Sequence, residues 1–446
     1  MNQLISLARV KGLLLSLLVL ILSSAVFAQS ISKETKAEIL EEIGKLVKER
    51  AYVGGVDFSR WDEFQQKHRE EFDKADTHDE FASAVNRAFM EFGFSHLRLL
   101  TPRSTQIQRT GKAVGIGISG QIEPGGMRVI RVIPEGPAEK AGIKPGDLIV
   151  KADGKPVKGP EQIRGEKDTK VLLEIQRGDS VIEVTVKRSE FSTLTKDELK
   201  WIDKKTVMIR VNTFMTGYDR ELIDKFFEEA SKAERLILDL RSNGGGSTIN
   251  LYHLAGKVLT PDTSLGKFIT RMDAKKYLEK HPDEKDTPEK VAKEFGLEIR
   301  ARGDEDKVYK GQLVVLTDGG TGSASEILAS AIQDHKRGKV VGATTAGAVL
   351  ASTFFRLPEG FSLQLPLMEY VTYGGRRLEG KGVEPDYPVD AKDLANEELL
   401  LKAVEKAFVE MKVSIYALTT ASAGDSWVFI PQSYFSCLSC LNSSCC

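Results

Sequence analysis

The stretch that most constrains the fold runs from about Lys200 onward, where short apolar runs alternate with helix-length segments. "TVMIRVNTF" and "RLILDLRS" read as strands flanking the helical run "DRELIDKFFEEASKA". "QLVVLTD" is a further strand, followed by a helix that starts near Ser323, and "KVVGATT" and "SLQLPLMEYVT" complete the series. Strands separated by helices imply an α/β domain. The charge-dense run "AKKYLEKHPDEKDTPEKVAKEF" reads as a solvated helical insertion.

Upstream the period changes twice. From about Ser32 to Gly93 the spacing is helical: Ile39, Ile43, Leu46 and Val47 form one stripe, and Thr77 with Glu80 gives a capping-box signature before "FASAVNRAFMEF". Residues 113–188 instead read as short strands between turn signals, with "PAEKAGIKPGD" as a short helix ended by glycine and proline.

The ends differ from this body. Arg9 and Lys11 precede "GLLLSLLVLILSSAVFA", a secretory signal pattern whose small residues Val26 and Ala28 place the expected cleavage before Gln29 and favour it over the alternative of an uncleaved membrane anchor. The expected location is therefore periplasmic or secreted. No later run is long and apolar enough to suggest a bilayer span. All four cysteines, Cys437, Cys440, Cys445 and Cys446, lie in the last ten residues, so the body needs no disulfide framework. That cluster lacks the histidine or second well-spaced pair of a zinc site. The expected divisions are 1–28 signal peptide, 29–111 helical module, 112–190 strand-rich domain, 191–415 α/β domain and 416–446 irregular tail. A formal net charge of −1 points to neither nucleic acid nor an anionic membrane as partner.

Two segments carry chemistry. In "QLVVLTDGGTGSASEIL" a glycine-rich turn joins a strand to a helix, and Ser323 and Ser325 sit at the helix start with Glu326 beside them. Unpaired N–H groups and the positive dipole end there can stabilise an oxyanion. On the residues alone, either serine is a helix cap or a nucleophile. In "LILDLRSNGGGST" an apolar strand runs into Asp239, Arg241, Asn243 and three glycines, whose backbone can approach a ligand closely.

"DLRSNGGG", "GSASEILASAIQDH", "TTAGAV" and "LEGKGVEPD", in this order, resemble the signature segments of the carboxy-terminal processing (tail-specific) serine peptidases. Residues 113–188 are similar to the PDZ domain many members carry. The resemblance implies an α/β fold with a crotonase/ClpP-like β-α core, a Ser323 nucleophile and no metal or other cofactor. The usual branch of the family uses a lysine base in the segment that here reads Thr345-Ala346-Gly347-Ala348-Val349, and the lysine position is Ala348. The chain therefore cannot run a Ser–Lys dyad.

Histidine is the remaining base. His68, His78 and His281 lie in or beside charged runs and read as solvated; His335 reads as structural at a helix C-terminus, and His253 shows no partner in its own helix. His96, in "FGFSHLRLLTP", is flanked by apolar residues. "SHLRL" looks like the histidine segment of the family's tricorn-core-like branch. The resemblance implies His96 as general base, Ser95 as an orienting hydroxyl and Glu379 as the acid, with Glu384 and Asp386 as rivals. Oxyanion donors would be the N–H groups of Gly245 and Ala324. "VGIGISG" resembles a carboxylate-binding loop, with Gly115 and Gly117 shaping the backbone and Ile116, Ile118 and Ile163 lining an apolar pocket. The expected partners are protein or peptide substrates taken by their free C-termini, and a homo-oligomer is compatible with the family. A catalytically inactive peptide-binding relative is the alternative implied by Ala348. An acyl-CoA enzyme on the shared core is a third, opposed by the leader, the PDZ-like region and the serine at the helix start.

Overall fold

The first helix of the amino-terminal module, α1 (Lys33–Arg50), is capped by Ser32, whose hydroxyl accepts the Thr35 N–H. Its stripe Ile39, Ile43, Leu46 and Val47 is buried, as the spacing predicts. The helix that leads to the module's exit strand, α2 (His78–Met90), starts at the expected capping box of Thr77 and Glu80. These faces close over Trp61, Phe64, Phe72, Phe81 and Phe89 to form the module's core. The computed structural model describes residues 30–422; the apolar leader and the cysteines lie outside the described residues.

The module does not stand apart. Its exit strand β1 (Arg98–Leu100) joins a sheet of the α/β region, pairing antiparallel with Ser362–Gln364. Leu350, Leu357, Phe361, Leu363 and Leu365 from that region complete the module's core.

Residues 118–187 form a five-strand antiparallel path, Ile118–Glu123, Gly126–Val132, Leu148–Ala152, Lys170–Arg177 and Ser180–Lys187. A separate two-strand ladder, Lys112–Gly115 with Ser189–Ser192, brings the chain in and out of this domain side by side.

The main sheet contains β2 (Thr206–Arg210), β3 (Arg235–Asp239), β5 (Gln312–Thr317) and β6 (Lys339–Gly342) as parallel neighbours in that order. Between β3 and β5 in sequence runs β4 (Ser264–Thr270), which belongs to the second sheet. There it pairs with β8 (Ser362–Val371), which also pairs with β7 (Ala351–Arg356). Helices α3 (Arg220–Ala230), α4 (Thr248–Val258) and α5 (Ala324–Asp334) pack into the core with Leu236, Leu238, Leu313 and Val315. Ile237, Val314, Leu316 and Val341 point the other way, onto a carboxy-terminal helix α6 (Glu397–Ser422). Strands buried on both faces explain the continuous apolar runs.

Two expectations change here. The charged insertion forms helices Arg271–Lys280 and Pro288–Glu294, but Ala274, Tyr277, Val291 and Ala292 are buried against Tyr52 of the module. The Arg271 guanidinium donates to the Glu49 and Ala51 carbonyls at 2.8 and 2.5 Å. The run is solvated on one face only; its sparse apolar residues are enough to dock the other. The tail expected to be irregular from 416 is helical as far as Ser422.

Candidate active site

Ser323 is held by its own helix and by the loop that follows β6. It sits at φ 53° and ψ −118°, a backbone state costly for a residue with a side chain. The strain is offset because its N–H donates both to the Ala348 carbonyl (2.8 Å) and to Glu326 Oε2 (2.9 Å). Glu326 thus reaches back to cap the helix, and the Ser323 side chain makes no cap hydrogen bond. Ser325 is wholly buried, with no partner for its hydroxyl among the described residues, so Ser323 is the serine a substrate can reach.

Glu326 is the hub of this floor. Buried completely, it accepts hydrogen bonds from Thr345 Oγ1 (2.5 Å), the Gly347 N–H (2.8 Å), the Ala348 N–H (2.9 Å) and Ser323. Burial pushes its carboxyl pKa up, and these donors pull it back. The Ser-x-x-Glu spacing made the cap visible in sequence; the grip on residues 345–348 was not. Ala348, where a lysine would stand, is therefore in contact with the serine's backbone.

The glycine loop is fixed from beneath. Asp239, fully buried at the end of β3, takes a two-pronged pair from Arg241 at 2.8 and 2.6 Å. Asn243, also fully buried, donates to the Val211 carbonyl (2.9 Å), and its Oδ1 accepts the Gly245 N–H (3.0 Å). Its own carbonyl accepts the Gly322 N–H (2.9 Å). Gly245 presses on the serine: a Cβ there would lie 2.6 Å from Ser323 Cβ, and its φ is 88°. Of the two expected oxyanion donors, Gly245 has its N–H engaged by Asn243. Ala324, first residue of α5, has no intrahelical acceptor for its N–H. Nothing in the glycine spacing could reveal Asn243's grip, because it depends on a rotamer.

The expected acid–base group is assembled around Glu379. The Ser95 hydroxyl donates to Glu379 Oε2 (3.0 Å), the Ser95 N–H donates to Glu379 Oε1 (2.7 Å), and Ser95 Oγ lies 2.6 Å from His96 Nδ1. Glu379 also accepts the Val349 N–H at 2.9 Å, one residue from the carbonyl that binds Ser323. A hydroxyl has one proton. Given to the carboxylate, it leaves the Ser95 oxygen to accept Nδ1–H from His96, and Nε2 keeps its lone pair. His96 has φ 62°, which turns the chain sharply before β1. Burial holds its imidazole pKa below the ordinary 6.5, and Glu379 offsets this in part.

The rivals of Glu379 lie elsewhere. Glu384 is exposed and its backbone carbonyl binds Gln333; Asp386 accepts the Val340 N–H at the start of β6. The other histidines have structural partners. His335 reaches the Ser264 carbonyl (2.7 Å) and stacks on Tyr373. His68 and His78 are not solvated: the first bridges Glu71 and Glu91, and the second is buried beside Glu359. His281 pairs with Glu294. His253 does find partners, Tyr218 (2.8 Å) and Asp224 (3.0 Å), both outside its own helix.

In the strand-rich domain Gly115 and Gly117 do shape the loop, with φ of 154° and 78°. Ile116 and Ile163 belong to the domain's core, 4% and 5% exposed, and only Ile118 remains partly open. A small sheet has few large side chains to fill its interior, and these are among them. Among the described residues no cluster of side chains is arranged to hold a metal ion.

Residues 205–389 match the family described as Peptidase family S41, and residues 128–188 match the PDZ domain. The probable CtpA-like serine protease of Staphylococcus aureus (strain N315) is 30% identical over 288 residues, 63% of this chain and 53% of that protein. That of Staphylococcus saprophyticus subsp. saprophyticus is 28% identical over 289 residues, 63% of this chain and 54% of the relative. The chain thus spans about half the length of the curated relatives it matches. A solved photosystem II D1 C-terminal processing protease aligns at TM-score 0.46 and 23% identity, over 82% of this chain and 95% of its own.

Proposed function

Residues 205–389 are a Peptidase family S41 domain and residues 128–188 a PDZ domain, and from that premise we propose that this protein is a serine endopeptidase of protein or peptide substrates. Ser323 Oγ attacks the scissile carbonyl carbon and gives its proton to His96 Nε2. The imidazolium returns that proton to the leaving amine, and a water, deprotonated by the same nitrogen, releases the acyl group. Ser95 and Glu379 hold the tautomer and stabilise the cation. The Ala324 N–H receives the oxyanion. Gly245 can contribute its N–H once substrate competes with Asn243 for it.

The observation that carries this reading is the direction of the Ser95 hydrogen bonds. Donation to Glu379 obliges Nδ1 of His96 to be the protonated nitrogen, which is the tautomer a base requires. The bonded path from Glu379 through Val349 and Ala348 to the Ser323 N–H supports assembly of both halves at one site. The occupied Gly245 N–H and the absent lysine favour a second reading, a peptide-binding relative without activity. A fluorophosphonate probe with digestion of reduced, unfolded casein separates the two. The enzyme labels at Ser323 and cleaves, and Ser323→Ala does neither while melting like wild type. An unlabelled, inert wild-type protein would leave only the second reading.

Export and recognition of C-termini belong to the proposal. The first rests on the apolar leader, the second on the PDZ domain and its glycine loop.

A further inference from the structure

Arg377 lies two residues before Glu379, on a chain that has just turned back from β8. The Thr372 N–H donates to the Arg376 carbonyl and the Gly375 N–H to the Thr372 carbonyl, both at 2.9 Å, and Arg377 comes to rest across from Val371. Its guanidinium grips Glu369 of β8 with two donors: Nη2 to Oε1 at 2.6 Å and Nε to Oε2 at 3.2 Å. Glu369 is fully buried and also accepts the Gly54 N–H (3.2 Å) from the amino-terminal module. The neighbouring Arg376 donates to Asp334 at the end of α5 (2.6 Å). The segment that delivers Glu379 is therefore fastened to the serine's helix by one arginine and to the sheet and module by the other.

Charge gives the second strand of the argument. The acidic groups facing Arg377 are Glu369 on β8, Glu379 on its own segment and Glu289 on the helix Pro288–Glu294, and His96 lies beyond Glu379. Burial pushes the Glu369 carboxyl up, Arg377 pulls it down, and Glu379 pushes it up again. The guanidinium grips Glu369, and Glu379 stands two residues along the same segment. Without it, Glu369 is left buried and unpaired, and the segment that delivers Glu379 loses its hold on β8.

We propose that Arg377, braced by Glu369, is a positioning residue for the reaction: it holds the segment that places Glu379 to accept the Ser95 hydroxyl, and so fixes the tautomer of His96. This rests on the assignment of Ser323, His96 and Glu379 above. Arg377 touches none of the reacting atoms. Its planar fork is what a two-oxygen grip requires, and a lysine would keep the charge but lose the geometry.

The test compares wild type, Arg377→Met, Arg377→Lys and the neutral pair Glu369→Gln/Arg377→Met in the full chain. Unfolded casein hydrolysis gives kcat and KM against pH. Histidine-selective nitrogen-15 NMR, with His96→Gln for assignment, gives the tautomer of His96. Arg377→Met should lower kcat at least about tenfold with KM nearly constant, move the acid limb to lower pH as the hold of Glu379 on His96 is lost, and mix the His96 tautomers. Arg377→Lys should fall between it and wild type. The neutral pair removes the second carboxylate and should recover most of the loss and the Nδ1–H tautomer; it also guards against a single variant that fails to fold. An unchanged kcat, pH limb and tautomer in Arg377→Met would overturn the proposal. So would a neutral pair that folds but is as impaired as the single variant. The NMR readout needs no turnover, so a tautomer change in an inert protein would sink the peptidase reading and leave the positioning role standing.

Discussion

The floor of the site and the arm that carries the base are built on different plans. The floor joins Asn243, Gly245, Ser323, Glu326 and residues 345–348 by buried hydrogen bonds within one domain. The arm joins Ser95 and His96 to Glu379 across 284 positions, in a part-buried setting, through docking of the amino-terminal module. The floor is over-determined, so each of its parts is needed for folding as well as chemistry. The arm is attached by the β1–β8 pairing, an apolar seam and scattered hydrogen bonds such as those of Arg271 to the Glu49 and Ala51 carbonyls and of Gly54 to Glu369, so its catalytic side chains can be removed with less harm to the fold.

That contrast is open to attack from its strong end first. Glu326→Ala orphans three donors, Thr345 Oγ1 and the Gly347 and Ala348 N–H groups, and should destabilise the protein by about 4 kcal/mol, with activity lost alongside; chemical denaturation checks the first and casein digestion the second. If that variant were stable and merely slow, the floor would be no different in kind from the arm. Gly245→Ala forces a Cβ against Ser323 at a positive φ. It should cost about 2 kcal/mol in stability and about a hundredfold in kcat, read by denaturation and by steady-state kinetics. Glu379→Gln keeps the shape of the arm. It should lower kcat at least about tenfold while leaving the melting temperature within a few degrees, since the carboxamide still accepts from Val349 but no longer stabilises the imidazolium.

The smallest effect is on pH. Catalysis needs His96 neutral, and burial lowers its pKa, so the acid limb of kcat/KM should lie below 6.5. Glu379 is the group that raises this pKa, so in Glu379→Gln the limb should move lower still. For stability the sign is the same: with the folded pKa depressed, the contribution of the neutral imidazole is fully present above 6.5 and is lost as pH falls from there through the folded value. A limb at or above 6.5 in the wild type would mean that burial does not govern His96 and that the arm does not close as described.

Much of this was legible in the chain because it is written locally. Apolar runs of strand length, the Ser-x-x-Glu start of a helix and three glycines after a strand each report on neighbours a few residues away. They led to the α/β domain, the PDZ domain and the serine segment. Local pattern failed where a side chain had a choice of partner. Arg377 could have paired with Glu379 and pairs with Glu369; Ile116 and Ile163 could have lined a pocket and fill a core. His253 looked partnerless because Tyr218 and Asp224 come from outside its helix.

The sequence by itself determined that residue 348 is alanine, that no lysine base stands there, and that a serine heads a helix behind a glycine-rich loop. Only the tertiary structure decided that β1 pairs with β8, and this pairing carries Ser95 and His96 to Glu379 and the Ser323 loop. The physical reason is range. Periodicity and caps are fixed by a backbone's nearest turns, whereas which carboxylate a distant hydroxyl meets is fixed by how two separately folded cores share a strand.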